Sequence, residues 1–531
     1  MKSIKYIIIV ALLFNISACT DNFEELNQNP YQITDESLEQ DFNNVGAFYP
    51  PMFQNIFGNQ VDHNLSNVSW VRHLGTPTNF VGGINNTTYY MRWNGYWNRV
   101  YNNIMSPSGL VILKAKGDGD GGAEFPVFVE WAKLIRIIAI SRLTAYHGPV
   151  IYSQFGLPDA GYDSEPILYD AMFTHLDEIL AVFKANEEYT GLANFDASYG
   201  GDIPSWIRFV NSMRLRLAMR ISNVDPQVAR LQGEKALSDP GGLIGANSEN
   251  FNVFLYGSVY HPVTISFGWG DTRMSASMES ILIGYDDARI AKFFDPATDD
   301  SLYPDHPGYP YKGIRNGAEI VAKGDRLSYS TISSDFKTVT ERRHFGAAEI
   351  EFIKAEAALR GWAGVGSAQG HYEAGVRASF EEWGVGGVDD YLANDTGLPI
   401  NYDDPKASGA VNDFVSRISL TVKWDDGASN EVKLERIMTQ KWIAARTNCM
   451  EAWVDHRRTG YPKLPYNYQN DSGADWGVIP ADDFLKRVPF TNGQRADNAA
   501  AVAEATTFLG GPDEIGTRLW WDTSDDGGSN F

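Results

Sequence analysis

The side chains that could do chemistry are scattered, and most fail the tests their chemistry imposes. Gly117, Gly119 and Gly122 have the spacing of a dinucleotide-binding GxGxxG. That motif works only between a strand and a helix, where backbone amides meet a pyrophosphate. Here a helical stretch precedes it, and Asp118 and Asp120 would repel phosphate. The same aspartates could open a calcium loop, but an EF-hand closes on a Glu at its twelfth position. Val129 stands there. A flexible connection between helices is the better reading. No HExxH, GxSxG or P-loop occurs, and the nine histidines form no ligand-spaced cluster. No metal and no cofactor is expected. Glycoside hydrolysis needs two carboxyl groups about 5–10 Å apart across a cleft, and no spacing in this acidic chain marks such a pair.

Glu451, Asp455 and His456 share one helical stretch, with Arg457 and Arg458 directly behind them. Basic residues at a helix end complement its dipole and can pair with nearby acids. This segment therefore reads as structural. Cys449 reads as a small buried hydrophobe, because no basic or histidine neighbour in the sequence would activate its thiol.

Aromatic residues remain. Sugar rings present flat C–H faces, and a pocket for them pairs apolar walls with a few placed polar groups. Trp70, Phe80, Tyr89, Trp269, Tyr303, Tyr309 and Tyr311 lie in loops dense in Asn, Gly and Pro. They form the expected ligand-binding set, for a neutral and carbohydrate-like ligand. Core packing is the competing reading for each ring.

The elements that must position these loops are helices. Apolar residues three and four apart mark helices over 93–116, 124–147, 168–188, 204–222, 344–361, 371–384 and 430–460. Gly148-Pro149, Gly361, Gly384 and Gly460 with Pro462 punctuate them. Arg208, Arg214, Arg216 and Arg220 are expected on or beside a polar face of the fourth. The pair 344–361 and 371–384, joined by a short Gly/Ser turn, looks like a tetratricopeptide unit. Residues 55–94, 247–313, 387–427 and 461–531 read as irregular, and the acidic end after Trp521 as frayed.

The N-terminus sets the location. Lys2 and Lys5, the apolar run 7–14 and the small residues before Cys19 make a secretory signal. The run is too short to span a bilayer, which takes about 20 residues. Ser17-Ala18-Cys19 resembles a bacterial lipobox, which implies cleavage before Cys19 and its acylation. The expected organisation is a signal peptide over 1–18, a lipidated tether over 19–45 and one domain over 46–531. A net charge of −23 excludes nucleic acid and anionic headgroups as partners, since both need basic patches.

Taken in order, several segments resemble the SusD/RagB family of outer-membrane nutrient-binding lipoproteins of Bacteroidetes-type bacteria. They are Cys19 with its acidic tether and Asn27–Pro30, the Arg-rich helix Trp206–Ser222, Ala348–Gly361 with Tyr372–Gly384, Glu451–Pro462, Arg487–Pro489 and Leu519–Asp522. The resemblance implies a mostly α, SusD-like single domain with four tetratricopeptide-like helix pairs and long ligand-binding loops. It implies no catalysis. It implies surface exposure on the outer membrane, a lipid anchor, and a SusC-like TonB-dependent transporter as partner. The implied function is capture of oligosaccharide for that transporter. A RagB-like peptide binder is the alternative, and a surface glycan hydrolase a more distant one.

Acylated Cys19 is expected to be the sole membrane anchor, at about 0.8 kcal/mol per buried methylene. Cys19→Ala should leave a folded chain that no longer sediments with membranes. Retained sedimentation would contradict the assignment.

Overall fold

The structure is a computed structural model. It describes residues 40–79, 86–90, 95–116, 124–257, 259–303, 308–320, 322–446, 448–473, 475–525 and 528–531. Cys19, Phe80 and the glycine run 117–122 lie outside them. Gln40–Phe42 and Asn43–Gly46 form two helical turns in an N-terminal unit of their own. Phe48–Phe531 is the second, far larger unit.

Helices in that unit follow their punctuation. α1 (Tyr49–Asn55) has proline in its first turn. α2 (Gly95–Val100) runs through a π-helical turn, Tyr101–Met105, into α3 (Ser106–Ala115). α4 (Pro126–His147) ends at Gly148, whose φ of 84° suits glycine alone. α5 (Glu165–Lys184) precedes α6 (Ile203–Arg220), where the Asp202 carboxylate caps Ser205 N at 2.9 Å. α7 (Pro226–Ser238) is capped likewise by Asp225. The longer of the later helices are α8 (Ala276–Gly284), α9 (Ala347–Leu359), α10 (Ala368–Glu382), α11 (Asn430–Ala444), α12 (Cys449–Thr459) and α13 (Ala499–Phe508). Chain neighbours pack on each other: α3 on α4, α4 on α5, α5 on α6, α6 on α7, and α9 on both α10 and α11. Strands are few. β1 (Leu74–Gly75) pairs antiparallel with β3 (Arg273–Met274), and β2 (Phe251–Phe254) with β4 (Glu341–Phe345). The expected mostly α class is correct.

Several expected boundaries are not. The stretch 344–361 becomes helical only at Ala347, because Phe345 pairs with Phe251 in the β2–β4 ribbon. The stretch 430–460 breaks between α11 and α12, and Asn448 in the gap donates to His344 O at 2.7 Å. The irregular block 247–313 contains α8, and 461–531 contains α13. The end of the chain is not frayed at Asn530. Its side-chain amide donates to Glu431 Oε1 at 2.6 Å and to Thr459 O at 3.0 Å.

The core forms where helices close on aromatic and small side chains. Tyr49 of α1 stacks on Trp131 of α4 at 3.9 Å, and Trp131 meets Trp206 of α6 edge-on. On the α9 side, Ala348, Ala355 and Ala357 are buried and Ala358 is half-buried. Gly375 of α10 lies so close that a Cβ there would sit 2.8 Å from the Phe352 ring. Small residues at this seam let the backbones approach.

Of the four arginines of α6, Arg208 and Arg216 are half-buried, but two are not on a polar face. Arg214 and Arg220 are buried. Arg220 donates twice to Glu451 of α12, at 2.9 and 2.8 Å, and Arg216 twice to Glu349 of α9, at 2.7 and 2.6 Å. Arg458 of α12 donates to both oxygens of Glu356 of α9, at 2.6 and 2.7 Å. Arg458 also reaches Asp455 at 3.1 Å, as its spacing on one helix suggested. These arginines hold the Glu356 and Glu451 carboxyls down at about 2, against the opposing effect of burial.

Two outcomes follow from this packing. Ala355→Trp would overfill the α9 seam and should cost roughly 1–3 kcal/mol or more, read as a lowered melting temperature; an unchanged melt would contradict the seam. The carboxyls of Glu356 and Glu451 bind protons more weakly folded than unfolded, where their value is about 4.3. Their contribution is therefore full above about pH 4.5 and lost as pH falls toward 2. Urea midpoints should fall steeply across that window. Glu356→Gln should flatten the fall, and at pH 7 should cost roughly 3–5 kcal/mol by stranding Arg458; an unaltered pH slope would contradict the role.

Candidate functional site

The end of β2 and the segment after it expose a cluster of apolar and aromatic side chains. Phe254, Tyr256, Val259, Tyr260 and Trp269 are all exposed, and Trp269 is 66% exposed. Trp269 ends a short helix, Ile265–Trp269, which Gly270 terminates in the left-handed region at φ 58°. A 3-10 turn, Pro262–Thr264, leads into that helix, with His261 Nδ1 accepting from Val263 N. The helix is tied from below. Asn64 Nδ2 donates to Ser266 Oγ at 2.9 Å, and Ser266 Oγ meets Thr272 Oγ1 at 2.9 Å. Gln60 Nε2 donates to the Asp271 carboxylate at 2.8 Å. The Trp269 ring thus stands on a braced support, which lowers the entropy lost on binding.

Tyr260, Thr264, Ile265, Gly268 and Trp269 bound an open hollow of about 430 Å³. Tyr260 and Ile265 also line a deeper cleft of about 360 Å³, which extends to Phe53, Phe57, Gly58, Gln60, Arg99 and Arg342. Its walls are apolar and its polar groups are amides and guanidinium groups. No carboxylate lines it among the described residues. Arg342, from β4, donates to Gly58 O at 3.1 Å and lies over the Phe57 ring. Burial, then the nearby Arg142, pulls its guanidinium down to about 9. Arg99 of α2 donates to Asn55 Oδ1 at 2.9 Å and lies 3.9 Å from Asp62. Burial raises the Asp62 carboxyl to about 6. No group of three or more metal-ligating side chains occurs among the described residues.

Of the described members of the expected ligand set, only Trp269 presents an exposed ring here, and Phe80 lies outside the described residues. Trp70 is a correction: it is 3% exposed, in a short helix (Asn67–Trp70) whose ring packs on Trp453 at 4.8 Å. Tyr89 is another, buried in a left-handed turn with its hydroxyl on Arg72. Tyr311 is 7% exposed. Tyr303 is half-buried against a separate apolar cluster of Leu302, Ile314 and Tyr329, with its hydroxyl on Asp300 at 2.6 Å. Tyr309 is half-buried and bonds Asp286. Loop composition says that a ring sits in irregular backbone; it does not say which way the ring faces. Tyr260, in the same irregular block 247–313, is not in that set but lines both hollows. Arg342 and Arg99 carried no sequence signal, because strand pairing and helix docking bring them to the cleft.

Cys449 is buried, as expected, but it does have a histidine neighbour. His73 Nδ1 lies 3.0 Å from Sγ, across 376 residues of chain. Burial pushes the thiol up to about 12 and the His73 imidazole well below its ordinary value. Both groups are neutral, so no thiolate forms.

Among the described residues no helix is long and apolar enough to cross a membrane. No curated protein sequence matches the chain closely enough to count as a relative. Solved structures do match. A chitin-binding SusD homologue from Flavobacterium johnsoniae is 38% identical, with a TM-score of 0.83 over 91% of this chain and 99% of that one. A SusD homologue from Bacteroides vulgatus is 32% identical, also with a TM-score of 0.83, over 92% and 99%. A SusD-like protein from Bacteroides thetaiotaomicron is 31% identical, with a TM-score of 0.81 over 91% and 100%. The SusD-like family pattern itself matches residues 25–522. By fold and by sequence over nearly its whole length, the chain belongs to the SusD-like family, the SusD and RagB outer-membrane lipoproteins.

Proposed function

We propose that this lipoprotein binds oligosaccharide without cleaving it and delivers it to a SusC-like TonB-dependent transporter. The observation that carries the reading is Trp269, a largely exposed ring on a braced helix, with Tyr260 lining the same hollow. A large exposed ring is costly unless a partner covers it. Amide groups of Asn59 and Gln60 in the adjoining cleft supply donors and acceptors for hydroxyl or acetamido groups. The chitin-binding relative puts oligomers of N-acetylglucosamine first among the ligands to try. The cleft wall lacks a carboxylate among the described residues, whereas a glycosidase places two across its scissile bond.

One observation favours the RagB-like reading. Arg99 and Arg342 both line the cleft, and a guanidinium pairs well with the terminal carboxylate of a peptide.

Calorimetry of the chain against neutral glycans and peptides separates these readings. Affinities from micromolar to millimolar, about −8 to −4 kcal/mol, are expected for glycans. Trp269→Ala should weaken binding at least tenfold with an unchanged melt, because an exposed ring adds little to the core. Unfolding of that variant would place the ring in the core. Binding of peptides alone would establish the RagB-like reading, and cleavage during titration would make the protein an enzyme. Co-purification of a SusC-like transporter with the lipoprotein from outer membranes tests delivery.

A further inference from the structure

A second groove lies beside α2, and nothing in the reading above uses it. It is open, about 520 Å³ in volume, and it is built from three separated stretches of chain: the π turn after α2, the loop 151–160, and residues 494–498. Rings run along its wall. Trp97 lies 5.2 Å from Tyr101, and Tyr101 lies 5.8 Å from Phe155. Trp97 is buried beside the other two, which are half-buried.

Amides surround the rings. Asn98 and Asn102 line the groove and are exposed. Neither side chain forms a hydrogen bond with any described residue, so both amides are uncommitted. Gln494 is different. Its Oε1 accepts from Tyr162 at 2.8 Å and from Asn498 at 3.0 Å, which fixes the amide in place. Asp159 adds one carboxylate, and among the described residues no lysine or arginine lines the groove, although the Arg136 guanidinium lies 5.6 Å from the Phe155 ring centre. Half-exposed rings with fixed and free amides, and with the nearby Arg136 already committed to Ser108 Oγ and Met105 O, suit a neutral polyhydroxylated ligand. They do not suit a phosphate or a carboxylate.

Two backbone features add to this. The π-helical turn Tyr101–Met105 departs from α-helical hydrogen bonding, a device concentrated at functional sites. Asp159, a non-glycine residue, holds a φ of 56° at the groove's rim. The groove also has a defined relation to the first cleft. Arg99 lines one and its neighbour Asn98 lines the other. The two are therefore neighbours along α2, whose successive residues face one and then the other.

We propose that this groove is a second subsite for neutral oligosaccharide, independent of the Trp269 face. The proposal rests on the reading of the chain as a glycan binder. A polymer that touches both subsites gains by effective concentration what neither gives alone.

The test titrates the full chain with hexasaccharides of glucose and of N-acetylglucosamine. Four forms are compared: wild type, Trp269→Ala, the double variant Asn98→Ala with Asn102→Ala, and the triple variant. Trp269→Ala should keep weak residual binding, and the triple variant should bind about tenfold more weakly still, as the loss of one or two hydrogen bonds predicts. Both removed amides are exposed and unpartnered, so the melting temperature should not move. Hydrogen exchange over residues 98–106 should slow on adding hexasaccharide to Trp269→Ala. Complete loss of binding in Trp269→Ala, or identical binding and exchange in Trp269→Ala and the triple variant, overturns the second subsite while leaving the first intact. A wild-type chain that binds none of these hexasaccharides overturns both.

Discussion

Buried guanidinium–carboxylate pairs on α12 set where the other elements can sit. Arg458 joins this helix to Glu356 of α9, and Glu451 joins it to Arg220 of α6. Asp455 receives Lys441 of α11 at 2.7 Å. Arg457 donates to Ala145 O of α4 at 2.8 Å and to Lys486 O at 2.6 Å, with its guanidinium 3.4 Å from the Trp453 ring centre. One short helix is thus fastened to four others. Such pairs add little net stability over apolar residues of equal size, but they penalise misplacement heavily, since an unpaired buried charge costs several kcal/mol. Their effect is on which arrangement forms.

That constraint explains how the scaffold carries long loops without disulfides. Cys449 is the only cysteine among the described residues, and it is free. The helical seams are closed by alanines, Gly375 and stacked rings, so the chain can leave blocks such as 251–275 to short strands, single turns and loop backbone. Those blocks are then braced locally. The Asn64–Ser266–Thr272 chain and the Gln60–Asp271 bond hold the Trp269 helix from the side of the N-terminal segment. The site is built by residues far apart in sequence, and its rigidity comes from polar contacts at its base.

The electrostatics of the first cleft differ from those of the whole molecule. The chain carries a net charge of −23, yet Arg99 and Arg342 line the cleft and Arg142 lies close behind Phe57. His261 and His344, packed near Arg342, are both held neutral by burial and by the neighbouring guanidinium groups. Net charge therefore excludes partners that read a large surface, such as nucleic acid. It does not describe the field inside a pocket shielded from most of that surface, where charges beyond about 8–10 Å are screened by salt.

Much was legible in the sequence because it is local. The helices were visible in apolar periodicity and in Gly and Pro punctuation, since both act within a few residues. Family membership was legible in an ordered set of short segments. The buried state of Cys449 followed from its helical, apolar surroundings. What tertiary structure alone decided is pairing and facing. Arg220 and Glu451 are 231 residues apart, and His73 and Cys449 are 376 apart; no periodicity couples such positions. The same holds for the rings. Trp70 and Trp269 sit in loops of similar composition, but one packs on Trp453 and the other stands in solvent. A ring's direction is settled by what the rest of the chain places beside it, and that is a property of the packed molecule.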